Sequence, residues 1–600
     1  MDDAPDPPKR KRNDVAERKK KNKDLEYSCV KCSWNTLCKN KEFDNDIQNI
    51  ILNINKISFL SYKLLNFHVI RLIEENKEIP EITQNLFYNC CCMVSKFQNR
   101  KNKINEEDEL YISFSKFKDY IDELPFRDKM CNLINNLNKQ QETVSFNHLK
   151  LNFYKRLKKY LELKTGEKRG NILYNWLKDI YEEEYKGHNF FIHHIRKWLK
   201  YVPTETNIKK HSSHFIKIYY HILRTFEKFP NTKKVRTFSL LPNKNSFTMS
   251  NIEICNKSLA DIISYIINEK VNPDFMDKKR DYWINLFNIE KFETQNRKFS
   301  YTILTDGKSA VIQLEKPKKN KIKDYKGIEY EQYVGIDPGI RSLVTSYNDK
   351  DETLQMTTKQ YRHESKMIYG CKKRESWYKK WDNYEYWKNI PSFKVSKTKN
   401  MLKYFEYVLP KIDDLFRFHV KHNFRGLKFK SYCRSKATLT KICKNIKKDK
   451  KTIIGFGDFS QQQGLVKKHP TTPILKIKKE LNKYCDVIEI NEYNTSKTCH
   501  LCHQEVKLYK NRILKDKIDK VMILSHNGIC MNIKHKMSNV HGVIRCINNE
   551  CKLCCMDRDV NASKNILDLL LLQLNNKKRP VCFLPKKSKN NCDTHMQISS

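Results

Sequence analysis

At 600 residues the chain is too long for one small domain and should hold three or four compact units at roughly 100 to 200 residues each. Its 116 Lys and Arg against 69 Asp and Glu leave a formal charge of +47, spread along the whole length, which implies a long polyanionic partner and puts nucleic acid ahead of an acidic membrane surface. LDLLLLQL at 567–574 is far short of the roughly 20 apolar residues of a membrane span, and the opening MDDAPDPPKRKR has no apolar signal core, so membrane and secretory classes are set aside.

The 21 cysteines then sit in a reducing compartment, where spaced pairs point to metal before disulfide. Glycine is scarce, with 14 in all, while Lys, Asn and Ile abound, a bias that an AT-rich coding sequence would also produce, so part of the positive charge is discounted.

Residues 1–24 form a basic tail. Its clusters Lys9 to Arg12 and Arg18 to Lys23 look like a bipartite nuclear import signal, which places the protein in the nucleus, and a solvated tail with non-specific nucleic-acid affinity has the same composition. Cys29 and Cys32 make a lone C-x2-C with no second pair nearby, and Cys90, Cys91 and Cys92 read as buried thiols. From about 45 to 230 apolar residues recur at three and four spacing with few breakers, so a basic helical domain is expected. Its later segments FFIHHIRKWLKYV and HFIKIYYHILRTF mix aromatic, His and Lys residues. Such segments can stack on and neutralise a nucleic-acid strand, although aromatic residues at that spacing are more often core.

Near 235 the texture changes. VRTFSLLP, FTMSNIEIC and FSYTILTDGKSAVIQLEK are β-branched and aromatic runs broken by Pro, Gly and Asn, which predicts a small β-rich domain followed by a basic linker, PKKNKIKDYKG, at 317–327. EQYVGIDPGIRSLVTSY then predicts a buried strand ending at Asp337, a Pro-Gly turn and a second strand. Between 355 and 450 lies a basic helical stretch in which Trp377, Trp381, Tyr384 and Trp387 share one face, either as core or as a base-stacking lid. KTIIGFGDFSQQQG supplies another apolar strand that ends near Asp458.

The stretch from Val487 to Leu567 concentrates the remaining chemistry. VIEINEYNTSKTCHLC carries Glu489 and Glu492 before the pair Cys499 and Cys502, and VIRCINNECKLCCMDRDVNASKNIL carries Cys546 and Cys551 before Asp557 and Asp559. Two close cysteine pairs from separated hairpins frame a tetrahedral structural zinc site; Cys554, Cys555, Cys530, His500 and His503 are further candidate ligands. Carboxylates ahead of and behind such a module suit hard divalent ions, which take oxygen ligands. Strand alternation puts Glu489 and Glu492 on opposite faces, so one of the two serves at most, and Asp at a helix start also serves as a cap.

Four strings, VGIDPG at 334–339, NEYNTSKTC at 491–499, HGVIRC at 541–546 and RDVNASKNIL at 558–567, together resemble the Fanzor family, the eukaryotic and viral relatives of TnpB, and FSLLP and TDGKSAVIQL resemble the segment that precedes the nuclease core in that family. The resemblance implies an RNase H-like, RuvC-type α/β nuclease core with an inserted zinc ribbon, preceded by a helical recognition domain and a β-rich wedge domain. The implied boundaries are 25–230 for the N-terminal wedge part and recognition domain, 231–325 for the wedge, 326–486 for the nuclease core with a helical insertion, 487–558 for a RuvC strand and the zinc-ribbon insertion, 559–575 for the final helix and 576–600 for a basic tail.

It further implies an RNA-guided endonuclease that cuts double-stranded DNA beside a short target-adjacent motif, as a monomer in a ribonucleoprotein with guide RNA and the RNA–DNA heteroduplex. Asp337, Glu492 and Asp559 would hold two Mg2+ ions, and Cys499, Cys502, Cys546 and Cys551 a structural Zn2+. Many TnpB proteins place a Glu at the end of the strand that here ends in Gly457 and Asp458. The arrangement NEYNTSKTC resembles members with a relocated glutamate, which favours Glu492 and leaves Asp458 as its rival. A guide-dependent DNA-binding protein without cleavage, and a guide-independent RuvC-like nuclease or transposase, are the alternatives.

Overall fold

A computed structural model describes residues 25–96, 107–125, 129–229, 235–244, 246–271, 273–318, 325, 328–459, 472–513, 536–552 and 555–585. The two basic clusters of the N-terminal tail, most of the 317–327 linker, Cys530, Cys554 and the last fifteen residues lie outside this set. The chain forms two units: Met1–Lys319 with Trp377–Phe429, and Asn320–Ser376 with Lys430–Ser600. The helical segment that the sequence reading treats as an insertion of the nuclease core thus belongs, from Trp377 to Phe429, to the first unit. No helix among the described residues is long and apolar enough to cross a membrane.

The first unit is built on helix α1, Lys41–Glu74, whose N-cap Asn40 accepts from the N–H groups of Glu42 and Phe43. From Ile57 to Leu72 α1 is buried on every side, so it forms the unit's core rather than a surface layer. Helix α2, Cys131–Thr165, ends at Gly166 in the left-handed region (φ 73°), where a Cβ would be strained. Helix α3, Ser212–Glu227, buries Phe215, Ile218, Tyr219 and Ile222 and leaves Lys217, His221 and Arg224 exposed.

Strands β1 (Leu25–Ser33), β2 (Ile252–Cys255), β3 (Lys298–Thr305) and β4 (Ser309–Pro317) form an antiparallel sheet in the order β1-β4-β3-β2. Cys29 and Cys32 both lie on β1, three positions apart and therefore on opposite faces, so this C-x2-C cannot close on one ion.

Two expectations for this unit change. VRTFSLLP is not a strand: the Leu241 N–H donates to Asn66 Oδ1 and Pro242 O accepts from Asn66 Nδ2, so a side chain of α1 takes the backbone groups that a neighbouring strand would have taken. The aromatic run from Trp377 to Trp387 is broken by a turn between two short helices. Trp381 stacks on Phe418 at 3.9 Å, and Tyr378 on Trp387 at 4.4 Å; the rings pack against one another, as in the core reading.

The second unit is organised by a five-stranded sheet: β5 (Gln332–Asp337), β6 (Ser342–Asn348), β7 (Thr353–Thr357), β8 (Thr452–Gly457) and β9 (Asp486–Ile490), in the order β7-β6-β5-β8-β9. β5, β6 and β7 pair antiparallel, while β5, β8 and β9 run parallel. The period of two sorts its faces. Val334, Ile336, Ile454 and Phe456 pack on one side with Leu439, Ile442 and helix α4, Ile474–Leu481.

Gly335, Gly455 and Gly457 point to the other side, where helix α5, Arg558–Leu574, lies. A Cβ on Gly335 would sit 2.2 Å from Ser563 O and 2.5 Å from Leu567 N, so only glycine lets α5 approach β5 this closely. β10 (Val506–Ile513), β11 (Lys536–Cys546) and β12 (Met556–Asp557) make a separate small antiparallel sheet between β9 and α5 in the chain.

After the last helix the sequence suggests no more than a basic tail. Its first part is instead folded: Val581–Phe583 forms a short 3-10 turn, Phe583 is buried, and Arg579 donates to Asn491 O at 2.6 Å. One aromatic residue in a basic string is enough to anchor it.

Candidate active site and metal centre

Because β5, β8 and β9 are parallel and in register (Ile336 beside Phe456, Gly457 beside Ile490), their C-terminal ends lie together. Asp337 closes β5 and, by alternation from Gly335, faces α5. Asp559 sits in the first turn of α5. The capping role is taken by Asp557, whose Oδ1 accepts from the N–H groups of Asp559 (2.9 Å) and Val560 (3.1 Å), so the Asp559 carboxylate is not spent on the helix terminus.

Glu492 lies two residues beyond β9, and its carboxylate fills the space that a side chain at 457 would need: a Cβ on Gly457 would stand 2.6 Å from Glu492 Oε2 and 2.9 Å from Pro338 Cδ. Gly457 is therefore the counterpart of Glu492, an empty position on one strand that admits a carboxylate delivered from the next.

Asp458 and Glu489 have other partners. Asp458 Oδ1 accepts from the Glu492 N–H at 3.3 Å and the Asp458 N–H donates to Ile490 O, which ties the chain after β9 to the end of β8. Glu489 is exposed and ion-paired with Lys478.

The electrostatics of the carboxylates are only partly relieved, by Arg558, whose Nε lies 3.7 Å from Asp559 Oδ1. Burial, then the charges of Asp559 and Glu492, push the Asp337 carboxyl well above the usual carboxylate range, against a smaller opposing effect of Arg558. Burial and then Asp458 push Glu492 up to about 7. Asp559 is raised by burial, with Arg558 opposing. Glu492 Oε2 is buried without a hydrogen-bond partner. An orphaned carboxylate oxygen among like charges is what a site for divalent cations requires, and the oxygen-only donor set suits Mg2+. The residue types thus suit such ions, while among the described residues the three carboxylates do not all lie within 4.8 Å of one another.

The four cysteines meet in the small sheet. Their ligand atoms all lie within 4.8 Å of one another, the one such set of three or more among the described residues. Cys499 Sγ is 3.8 Å from Cys551 Sγ, and Cys502 Sγ is 3.4 Å from Cys546 Sγ. A zinc–sulfur bond of about 2.3 Å gives a tetrahedral edge of about 3.8 Å, so the set could hold a zinc ion. Cys551, rather than the exposed Cys555, completes the set. His500 is turned to Asn561 Oδ1 and the His503 ring meets Phe583 edge-on.

Two residues that the sequence reading passes over join this module to α5. Asn561 and Asn565, both fully buried, donate through Nδ2 to the carbonyls of Thr495 and Thr498 at 2.7 to 3.2 Å. The signal was available: two amides at i and i+4 on the otherwise apolar face of a helix must find buried partners.

No protein-family profile matches the chain, and no curated protein is similar to it in sequence. Among solved structures it is similar to the Cas12f1–sgRNA–target DNA complex, at 11% identity and a TM-score of 0.24 over 90% of this chain and 99% of that one. It is also similar to the CRISPR-Cas12f ternary complex, at 13% identity and a TM-score of 0.19 over 80% and 91%.

Proposed function

We propose that the protein is an RNA-guided, metal-dependent DNA endonuclease of the Fanzor and TnpB kind, with one RuvC-type site formed by Asp337, Glu492 and Asp559. The observation that carries the reading is the burial of Asp337 within the charges of Asp559 and Glu492, together with a buried Glu492 oxygen that has no hydrogen-bond partner. The strand order and directions of β5 to β9 agree with an RNase H-like core, and the four-cysteine module with a zinc ribbon inserted before its last helix.

Asp337, Glu492 and Asp559 would hold Mg2+, which when bound supplies activation of water and stabilisation of the leaving oxygen of a phosphodiester. The chain's own residues prepare that site. Gly457 leaves room for Glu492, Asp458 holds its backbone, Asp557 caps α5 so that Asp559 stays available, and Asn561 and Asn565 join α5 to the loop that follows Glu492.

The charge of +47 supports guide RNA and target DNA as partners, with base pairing supplying sequence specificity and the protein reading backbone and shape. Nuclear localisation and a monomeric ribonucleoprotein belong to the same proposal.

The test is to purify the protein from cells that express it with its flanking DNA, sequence the RNA that co-purifies, and assay Mg2+-dependent cleavage of a matching plasmid. A discrete RNA and cleavage that is lost in Asp337→Asn with the RNA retained are the expected results. Cleavage without RNA would make the protein a guide-independent nuclease. A retained RNA without cleavage would make it a guided DNA-binding protein.

A further inference from the structure

Helix α3 carries Lys217, Tyr220, His221 and Arg224 at i, i+3, i+4 and i+7, one face of the helix. With Lys77 and Lys397 they line a cleft of about 590 Å3 in the first unit. One acidic residue, Glu74, also lines the cleft, and neither it nor Glu227 forms an ion pair with Lys217, Arg224 or Lys397 among the described residues. Glu227 accepts from the Ser396 N–H at 2.8 Å and from the Ser396 hydroxyl, and Glu74 accepts from the Thr398 N–H at 3.1 Å and hydroxyl at 2.6 Å. These two carboxylates clamp the residues on either side of Lys397 and so fix the backbone that presents it, exposed, to the cleft.

Lys77 is taken up by Glu75 and Glu109. Among the described residues no ion pair involves Lys217, Arg224 or Lys397, and all three are exposed. The Arg224 guanidinium lies 5.8 Å from the centre of the buried Tyr220 ring, which restrains it toward the cleft.

We infer that this cleft binds the phosphodiester backbone of a single nucleic-acid strand through Lys217, Arg224 and Lys397. Lys217 and Arg224 are separated by seven helical residues, roughly 10 Å along the axis, so they match successive phosphates on one strand better than a single phosphate ion. Three exposed cations without an ion-pair partner, one of them on backbone held by two carboxylates, outnumber the single acid that lines the cleft and suit a polyanion. The inference rests on the nucleic-acid reading above and assigns part of that contact to one surface.

The experiment uses the full chain and three fluorescent 20-mers of one sequence, single-stranded RNA, single-stranded DNA and duplex DNA, with affinity measured from low to moderate salt. For single strands each phosphate contact contributes about 0.7 to the slope of log K against log salt, so Lys217→Ala/Arg224→Ala/Lys397→Ala should lower the slope by roughly 2. A control with equal charge loss elsewhere in the same unit, Lys139→Ala/Lys257→Ala/Lys298→Ala, should lower it less. The single-stranded probe with the larger change identifies the strand as RNA or DNA. Binding with an unchanged slope in the cleft variant, a fall matched by the control, or a change confined to the duplex overturns the cleft assignment while leaving the nuclease reading intact. Failure of the wild-type chain to bind any of the probes removes the nucleic-acid reading itself.

Discussion

Arg71 and Glu492 are both charged side chains drawn away from water, and the two units treat them in opposite ways. In the first unit every donor edge of Arg71 is used: Nε on Ser113 at 2.8 Å, Nη1 on Glu75 at 2.6 Å, and Nη2 on Glu109. Lys63, fully buried and with no acid beside it, is ringed by Phe59, Phe393 and Tyr404, with Nζ 3.9 Å from the Phe393 centroid. The second unit instead collects Asp337, Glu492 and Asp559 and leaves an oxygen of Glu492 without a partner. In the first unit a buried charge is met either by acids, as at Arg71, or by aromatic faces, as at Lys63, which has no hydrogen-bond partner. On the proposed reading the second unit's like charges would be met by divalent cations, which is how a metal-dependent site differs from a structural core.

The largest test of that contrast is metal removal. Structural zinc in small modules is worth on the order of 10 kcal/mol at neutral pH, so stripping zinc, or Cys499→Ser, should open 495–559 to proteolysis and leave the first unit resistant. Equal digestion of both units would erase the distinction.

Next come the carboxylates. Glu492→Ala and Asp559→Asn should each lower cleavage on the order of a hundredfold to a thousandfold, while raising the stability of metal-free protein, since each removes like charge. Stability and activity falling together would mean that these groups are structural.

Gly457→Ala should act through Glu492. The added methyl displaces the carboxylate, with an overpacking penalty of about 1 to 3 kcal/mol and a loss of cleavage, and Glu492→Ala should recover much of the stability in the double variant.

The response to pH should have opposite signs in the two units. Burial, then Arg71, lowers His68 from 6.5 to about 4; a folded-state value below the unfolded one means stability present above pH 6.5 and lost as pH falls through 4. Glu492 is raised from 4.5 to about 7, so its contribution in metal-free protein is present below pH 4.5 and lost as pH rises through 7. Each displacement corresponds to on the order of 1 to 3 kcal/mol. Denaturation read by unit-specific proteolysis between pH 4 and 8, with chelator, should show the first unit weakening in acid and the second toward pH 8; added Mg2+ should abolish the second effect.

The smallest change is Lys63→Met, which should leave cleavage unchanged and raise the midpoint of denaturation of the first unit alone, because an unpaired buried amine is exchanged for a thioether of similar volume.

Much of the second unit was legible because its chemistry is local in sequence. A strand ending in Asp-Pro-Gly, two spaced cysteine pairs and an Asp opening an apolar helix each announce themselves within ten residues or so; Asp337 ends its strand, Asp559 lies in the first turn of its helix, and the four cysteines cluster. The helical character of 45–230 was equally plain from periodicity. VRTFSLLP, by contrast, has strand composition and no strand, since Asn66 of a distant helix decides where its backbone hydrogen bonds go.

By itself, then, the sequence determined most element types, the candidate ligand residues and the excess of positive charge, because periodicity, residue type and charge are properties of short stretches. Only the tertiary structure decided which Asp caps α5, that Cys551 rather than Cys555 completes the cysteine set, that Gly457 is empty for the sake of Glu492, and that two glutamates hold the backbone that presents Lys397. Each of those choices depends on which atom from a remote segment occupies a given few ångströms of space.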